Sequence, residues 1–212
     1  MSIILDMDGT IVDAVPSILR SINQALERMG YDPVGPDDIK LSGLPLKNIL
    51  LARMEEDQLE EGIKLYKHIQ YSTFKDDTSI FPGAREALEE WRQQGHNLGI
   101  FTLRSGATAR LVLEEFDMLH MFNAVVGYDE TQHPKPSAMH VQDTAAILGR
   151  DASQSLVIGD NPVDIISGRD AGSRTVGVLW GLGSKEDMEG AGSWRLAYDW
   201  GELLDIVSEW TG

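Results

Sequence analysis

Five short apolar runs, Ile3 to Leu5, Leu98 to Leu103, Ala124 to Gly127, Leu156 to Gly159 and Val176 to Leu179, are separated by segments patterned at helical spacing. Continuous runs of this length suit strands covered on both faces, and helix-length connections between them make the sheet parallel. Pro82-Gly83 opens a helix carrying Ala87, Leu88 and Trp91 that closes near Gly95; Pro136 sits in the first turn of another leading to Leu148-Gly149. The pattern predicts an α/β fold, a parallel sheet with helices on both faces.

One interval breaks the alternation. Between the first strand and the helix after Pro82 lie roughly seventy residues, far more than a βα connection needs. They carry helical periodicity at Val15, Ile18, Leu19, Ile22, Leu26 and Met29, then helix-length segments at 46–54 and 59–74. The expectation is a helical subdomain over residues 14–80 inserted into a core of residues 1–13 and 81–212. Its hinges fall at Asp13 to Val15 and Ile80 to Gly83, placing it over the carboxyl ends of the strands, where α/β sheets bind ligands. The glycine- and charge-rich stretch Gly181 to Gly192 reads as a surface turn and short helix.

Composition narrows the function classes. At 212 residues the chain can bury a substantial core without cross-links. Cysteine is absent, which excludes disulfide scaffolds, thiolate zinc sites and cysteine nucleophiles and is compatible with a reducing cytoplasm. The five histidines show no paired metal-ligand spacing and read as surface or packing residues. No apolar stretch is long enough to span a bilayer, and a net charge of −16 with no basic run disfavours nucleic acid and anionic membranes as partners. No protein partner is inferable.

Directly behind the first strand stands Asp6-Met7-Asp8-Gly9-Thr10. Residues two apart on a strand point the same way, so Asp6 and Asp8 can reach one pocket while Gly9 lets the chain turn. A hard cation such as Mg²⁺ takes carboxylate oxygens, and an ionised aspartate can attack phosphorus; a capped turn is the bland alternative. The remaining polar groups share one structural address, the carboxyl end of a strand or the loop beyond it: Thr102 after Leu98 to Phe101, Lys135 between two prolines, and Asp160 after Leu156 to Gly159, with Asp164 four residues on. In a parallel sheet these ends converge. Phosphoryl transfer needs in-line attack, neutralised phosphate oxygens and a proton donor for the leaving oxygen. In this reading Asp6 attacks; Asp6, Asp160 and the Asp8 backbone carbonyl hold Mg²⁺; the Asp8 side chain serves as acid and then base; and Thr102 and Lys135 hold the phosphate. Singly, each has a plain alternative: Thr102 as a turn former, Lys135 as a surface lysine, Asp160 as a helix N-cap.

With these motifs the chain resembles the haloacid dehalogenase superfamily, and within it the phosphoglycolate phosphatase-like phosphatases with a helical cap inserted after the first motif. DMDGTIVD at 6–13, FTLRS around Thr102, Lys135-Pro136 and GDNPVDIISG around Asp160 and Asp164 are similar to the family's four motifs in order. LSGLPL at 41–46 and VLWGLGSKEDMEGAG from Val178 resemble the phosphoglycolate phosphatase-like subgroup. The resemblance implies a Rossmann-like core, Mg²⁺ as cofactor, a small phosphorylated metabolite as substrate, and Asp164 supporting the metal from behind its direct ligands.

Where the second motif commonly continues with asparagine or serine, Leu103 and Arg104 follow, leaving Arg104 either a phosphate contact or solvent-facing. Ser42, Lys47 and Arg53 are candidate neighbours of the leaving group. Asp8 favours phosphate-ester chemistry, because dehalogenases and phosphonate hydrolases of the superfamily lack an aspartate there. Rival readings are a phosphosugar mutase of the β-phosphoglucomutase type, disfavoured because the mutase histidine falls at Ile18, and a non-catalytic phosphometabolite-binding module.

Overall fold

The computed structural model describes residues 1–35, 38 and 46–211. They divide into two compact units, residues 1–12 with 80–212, and residues 13–79.

The larger unit is built on strands β1 (Ser2–Leu5), β4 (Asn97–Phe101), β5 (Ala124–Val126), β6 (Ser155–Gly159), β7 (Arg174–Val178) and β8 (Arg195–Ala197). They form one parallel sheet in the order β5-β4-β1-β6-β7-β8. β1 lies between β4 and β6, with Leu5 level with Ile100 and Ile158. Three strand ends therefore meet around the residue after Leu5. Two-residue strands β2 (Val12–Asp13) and β3 (Ser79–Ile80) pair separately, where the chain leaves and re-enters this unit.

Helices cover both faces. After α1 to α3, given below, come α4 (Ala84–Gln93), α5 (Gly106–Glu115), α6 (Ala138–Ile147), α7 (Pro162–Asp170), α8 (Lys185–Ala191) and α9 (Trp200–Thr211). Ile4, Phe101, Ala124 and Val157 of the sheet pack with Val141, Ala145 and Leu148 around α6, all buried. Each of the larger side chains among them contributes about 1.5–3 kcal/mol by leaving water. Elsewhere Trp91 of α4 and Trp200 of α9 pack with ring centres 6.3 Å apart, tilted at 43°.

The smaller unit packs α1 (Val15–Arg28) and α2 (Leu46–Leu51) on α3 (Leu59–Thr73). Its buried stripe is rotated from the expected one. Ile22 and Leu26 are buried as the periodicity required, but Ser17 and Ser21 join them while Val15, Ile18 and Leu19 are only half-buried. The hydroxyls are accommodated because Ser21 Oγ donates to the Ser17 carbonyl and Gln70 Nε2 donates to Ser17 Oγ.

Three local expectations shift. β4 ends at Phe101, so Thr102 and Leu103 lie beyond the strand. Thr102 N–H still donates to Val126 O, but its hydroxyl then accepts from Arg104 N–H and turns the chain towards Ser105, the N-cap of α5. Pro136 precedes α6 rather than sitting in its first turn, because Ser137 caps the helix by accepting from Met139 N–H. β8 had no apolar run to announce it. It is three residues long, begins with an exposed arginine, and is recruited by pairing with β7.

Candidate active site

Asp6 follows β1, and its N–H still donates to Ile158 O of β6 at 2.9 Å. This last rung points its side chain from the sheet's carboxyl edge, where it is buried. Asp160 follows β6. Asp164 belongs to the first turn of α7, where its Oδ2 accepts from Asn161 N–H at 3.0 Å and closes a capping box with the Asn161 side chain. Oxygens of Asp6, Asp160 and Asp164 all lie within 4.8 Å of one another.

Lys135 joins them. Its Nζ donates to Asp6 Oδ1 at 2.6 Å and is paired with Asp164 Oδ1 at 2.7 Å, while lying 3.7 Å from the centre of the Phe101 ring. This is a buried ammonium, so the surface-lysine alternative does not describe it. Three buried carboxylates face one ammonium, leaving excess negative charge in a poorly solvated place. Burial therefore raises Asp6 well above the usual carboxylate range; Lys135 opposes this, and Asp164 and Asp160 add to it. Burial, then the Asp164 charge, pushes Asp160 up to about 7, with the Leu182 N–H and Thr10 hydroxyl pulling the other way. Burial weighs against the Lys135 charge, yet Asp164 and Asp6 outweigh it and raise its pKa.

Such a set of hard oxygen donors suits a divalent cation such as Mg²⁺, which would supply the missing positive charge. Asp164 already commits one oxygen to Lys135 and the other to the Asn161 backbone.

Asp8, Thr102 and Arg104 form a second, linked group. Arg104 Nε donates to Asp8 Oδ2 at 2.6 Å, and the two side chains are 9% and 19% exposed. Arg104 thus engages the second carboxylate of the first motif rather than pointing into solvent. Of the cap candidates, Arg53 bonds both oxygens of Asp38 at 3.1 Å, Lys47 is exposed on α2, and Ser42 lies outside the described residues.

The chain matches a family model for haloacid dehalogenase-like hydrolases over residues 3–178. The chain belongs to that family. Among curated proteins, pyrophosphatase PpaX of Bacillus velezensis is 28% identical over 98% of the chain and 93% of its own length, and that of Bacillus cereus is 24% identical over 98% and 96%. Among solved structures, a haloacid dehalogenase-like family hydrolase from Streptococcus pneumoniae superposes with a TM-score of 0.89 at 22% identity, covering 97% of each chain. A predicted phosphoglycolate phosphatase from Haemophilus somnus does so with a TM-score of 0.89 at 20% identity and the same coverage.

In this haloacid dehalogenase-like chain, several site residues escaped the sequence reading. Thr10 Oγ1 donates to Asp160 Oδ1 at 3.0 Å and Leu182 N–H to Asp160 Oδ2 at 2.9 Å, so both carboxylate oxygens are oriented. The Gly181 stretch is therefore part of the site as well as a turn leading to a short helix. Its glycine permits the approach, since a Cβ there would stand 2.3 Å from the Asp160 Cβ. Gly9 is similarly constrained, with φ +87° and a notional Cβ 2.2 Å from Asp160 Oδ2. Trp180 Nε1 donates to Thr10 O and stacks on Trp200 at 5.1 Å, tying the first-motif loop to the aromatic core. The repeated glycines around Trp180 were the available signal. Nothing linear connected them to Asp160.

Proposed function

We propose that this chain is a Mg²⁺-dependent phosphatase that hydrolyses a small phosphate monoester through an aspartyl-phosphate. The observation that supports it most is the meeting of Asp6, Asp160 and Asp164 around Lys135, which combines a nucleophile, a cation site and a charge-neutralising ammonium. Asp6 and Asp160, with the Asp8 backbone carbonyl, would hold Mg²⁺, and Asp164 would support it. The bound ion would offset charge on the phosphate oxygens and orient them for in-line attack.

Asp6 forms a bond to phosphorus as the bond to the substrate's ester oxygen breaks, and Asp8 donates a proton to that oxygen. Asp8 then takes a proton from water, whose oxygen bonds to phosphorus and releases orthophosphate while restoring Asp6. Arg104 occupies Asp8 Oδ2, whereas Oδ1 is buried without a hydrogen-bond partner among the described residues and is the oxygen assigned to the proton. Thr102 and Lys135 serve the phosphate oxygens, and Lys135 also fixes the Asp6 rotamer. The helical unit would act as a cap that selects the leaving group and excludes water. Among the described residues no helix is long and apolar enough to cross a membrane, and the cysteine-free composition suits the proposed cytoplasmic location.

A phosphate-release screen over phosphoglycolate, sugar phosphates, pyrophosphate and an aryl phosphate, with and without Mg²⁺, tests the class. Release should require Mg²⁺ and vanish in Asp6→Asn. Near-wild-type turnover by that variant would refute the mechanism, and sugar-phosphate isomerisation in place of phosphate release would assign a mutase.

A further inference from the structure

His140 is a fully buried titratable side chain that the proposed chemistry does not use. It stands in the first turn of α6, and both ring nitrogens have partners. Nε2 lies 3.0 Å from the Val126 carbonyl oxygen, and the Lys135 backbone N–H donates to Nδ1 at 3.4 Å. A carbonyl can only accept, so Nε2 carries the hydrogen and Nδ1 presents its lone pair. The ring also meets Phe101 edge-on, with centroids 5.6 Å apart at 73°, and the Phe101 face holds the Lys135 ammonium.

We infer that His140 is a positioning residue for Lys135, holding its main chain through the Nδ1 acceptor. The inference rests on the role given to Lys135 above. Its two polar contacts are not equivalent. Val126 O also accepts from Thr102 N–H and keeps a partner if Nε2 is lost, whereas a buried N–H deprived of its acceptor pays its desolvation in full. The imidazole stays neutral: burial and then the Lys135 charge push its pKa down to about 4, against weaker favourable contributions from Val126 O and from Asp143 on the same helix. A doubly protonated ring would have no acceptor for the Lys135 N–H.

The test compares His140→Asn, His140→Gln and His140→Leu. Asparagine can place its amide oxygen where Nδ1 stands, while glutamine extends its amide towards the Nε2 position. We expect turnover of His140→Asn to stay close to wild type, with kcat/KM in His140→Gln and His140→Leu falling by up to about 10²-fold, the scale of an ångström-level misplacement. In a Lys135→Ala background, adding His140→Gln should bring no further loss. Equal losses in Asn and Gln variants, or an undiminished loss in the Lys135→Ala background, would make His140 a core residue only. If His140→Leu does not fold, the Asn and Gln pair decides. Hydrogen exchange at the Lys135 amide judges the inference apart from activity: it should be protected in wild type and His140→Asn and exposed in His140→Gln. Should wild type release no phosphate from any substrate, the phosphatase reading fails while the exchange result still upholds or overturns the role of His140.

Discussion

Asp160 sits in an environment far out of step with that of an ordinary carboxylate. Its pKa is about 7 in the fold against an ordinary 3.8, so between those values the native state holds a proton that the unfolded chain has lost. Stability attached to this group is fully present below about pH 3.8, declines as pH rises, and is gone above about 7. His140 titrates with the opposite sign: its native pKa of about 4 lies below the ordinary 6.5, and its contribution is lost as pH falls through that window. The two partly cancel, so a variant must separate them. Asp160→Asn, whose amide can serve Leu182 N–H through Oδ1 and Thr10 through Nδ2, should melt higher than wild type in chelator at pH 8 and match it more closely near pH 4. It should also lose the stabilisation that Mg²⁺ confers on wild type. Thermal denaturation with chelator and with Mg²⁺ checks this, and a wild type more stable than the variant in chelator at pH 8 would contradict it.

At the scale of elements, the start of α7 combines a helix cap with a functional carboxylate. Asn161 accepts from Val163 N–H, and Asp164 reaches back to the Asn161 backbone. Only the first bond needs the Asn161 side chain. Asn161→Ala should therefore cost about 1 kcal/mol of stability while leaving phosphate release little changed, because the backbone N–H that orients Asp164 survives. Denaturant unfolding and steady-state kinetics measure both. Turnover lost out of proportion to stability would mean that the cap itself positions Asp164. This element was readable beforehand as a strand and a proline-led helix, although the cap offered by the sequence was Asp160 and the structure's is Asn161; its partner loop at Gly181 was not readable, since Leu182 meets Asp160 across 22 positions of sequence.

For the whole molecule, the relevant quantity is the net charge of −16. Substrate dianions approach a repulsive protein, and at the site Lys135 and Arg104 are already paired with carboxylates, so the bound Mg²⁺ would have to supply the local attraction. Added salt screens the long-range part first, shortening the Debye length from about 30 Å at 0.01 M to about 8 Å at 0.15 M. We expect kcat/KM for a phosphate monoester to rise over that range at constant Mg²⁺. A fall would show that the site's own positive charges dominate the encounter.

The apolar runs by themselves determined five of the six parallel strands, because a strand buried on both faces leaves a continuous signature that no neighbour needs to supply, whereas β8 depended on its pairing with β7. The order of Asp6, Thr102, Lys135 and Asp160 at strand ends was equally legible, and so was the family resemblance, which the match over positions 3–178 bears out. What only the folded chain decided were pairings across long separations: Lys135 between Asp6 and Asp164, Arg104 on Asp8, Thr10 and Leu182 on Asp160, His140 beneath the Lys135 backbone. Periodicity reports which face of an element is buried, but the partner of a buried charge depends on which elements become neighbours. That is set when the sheet closes its order and desolvation leaves each charge to find its counterpart.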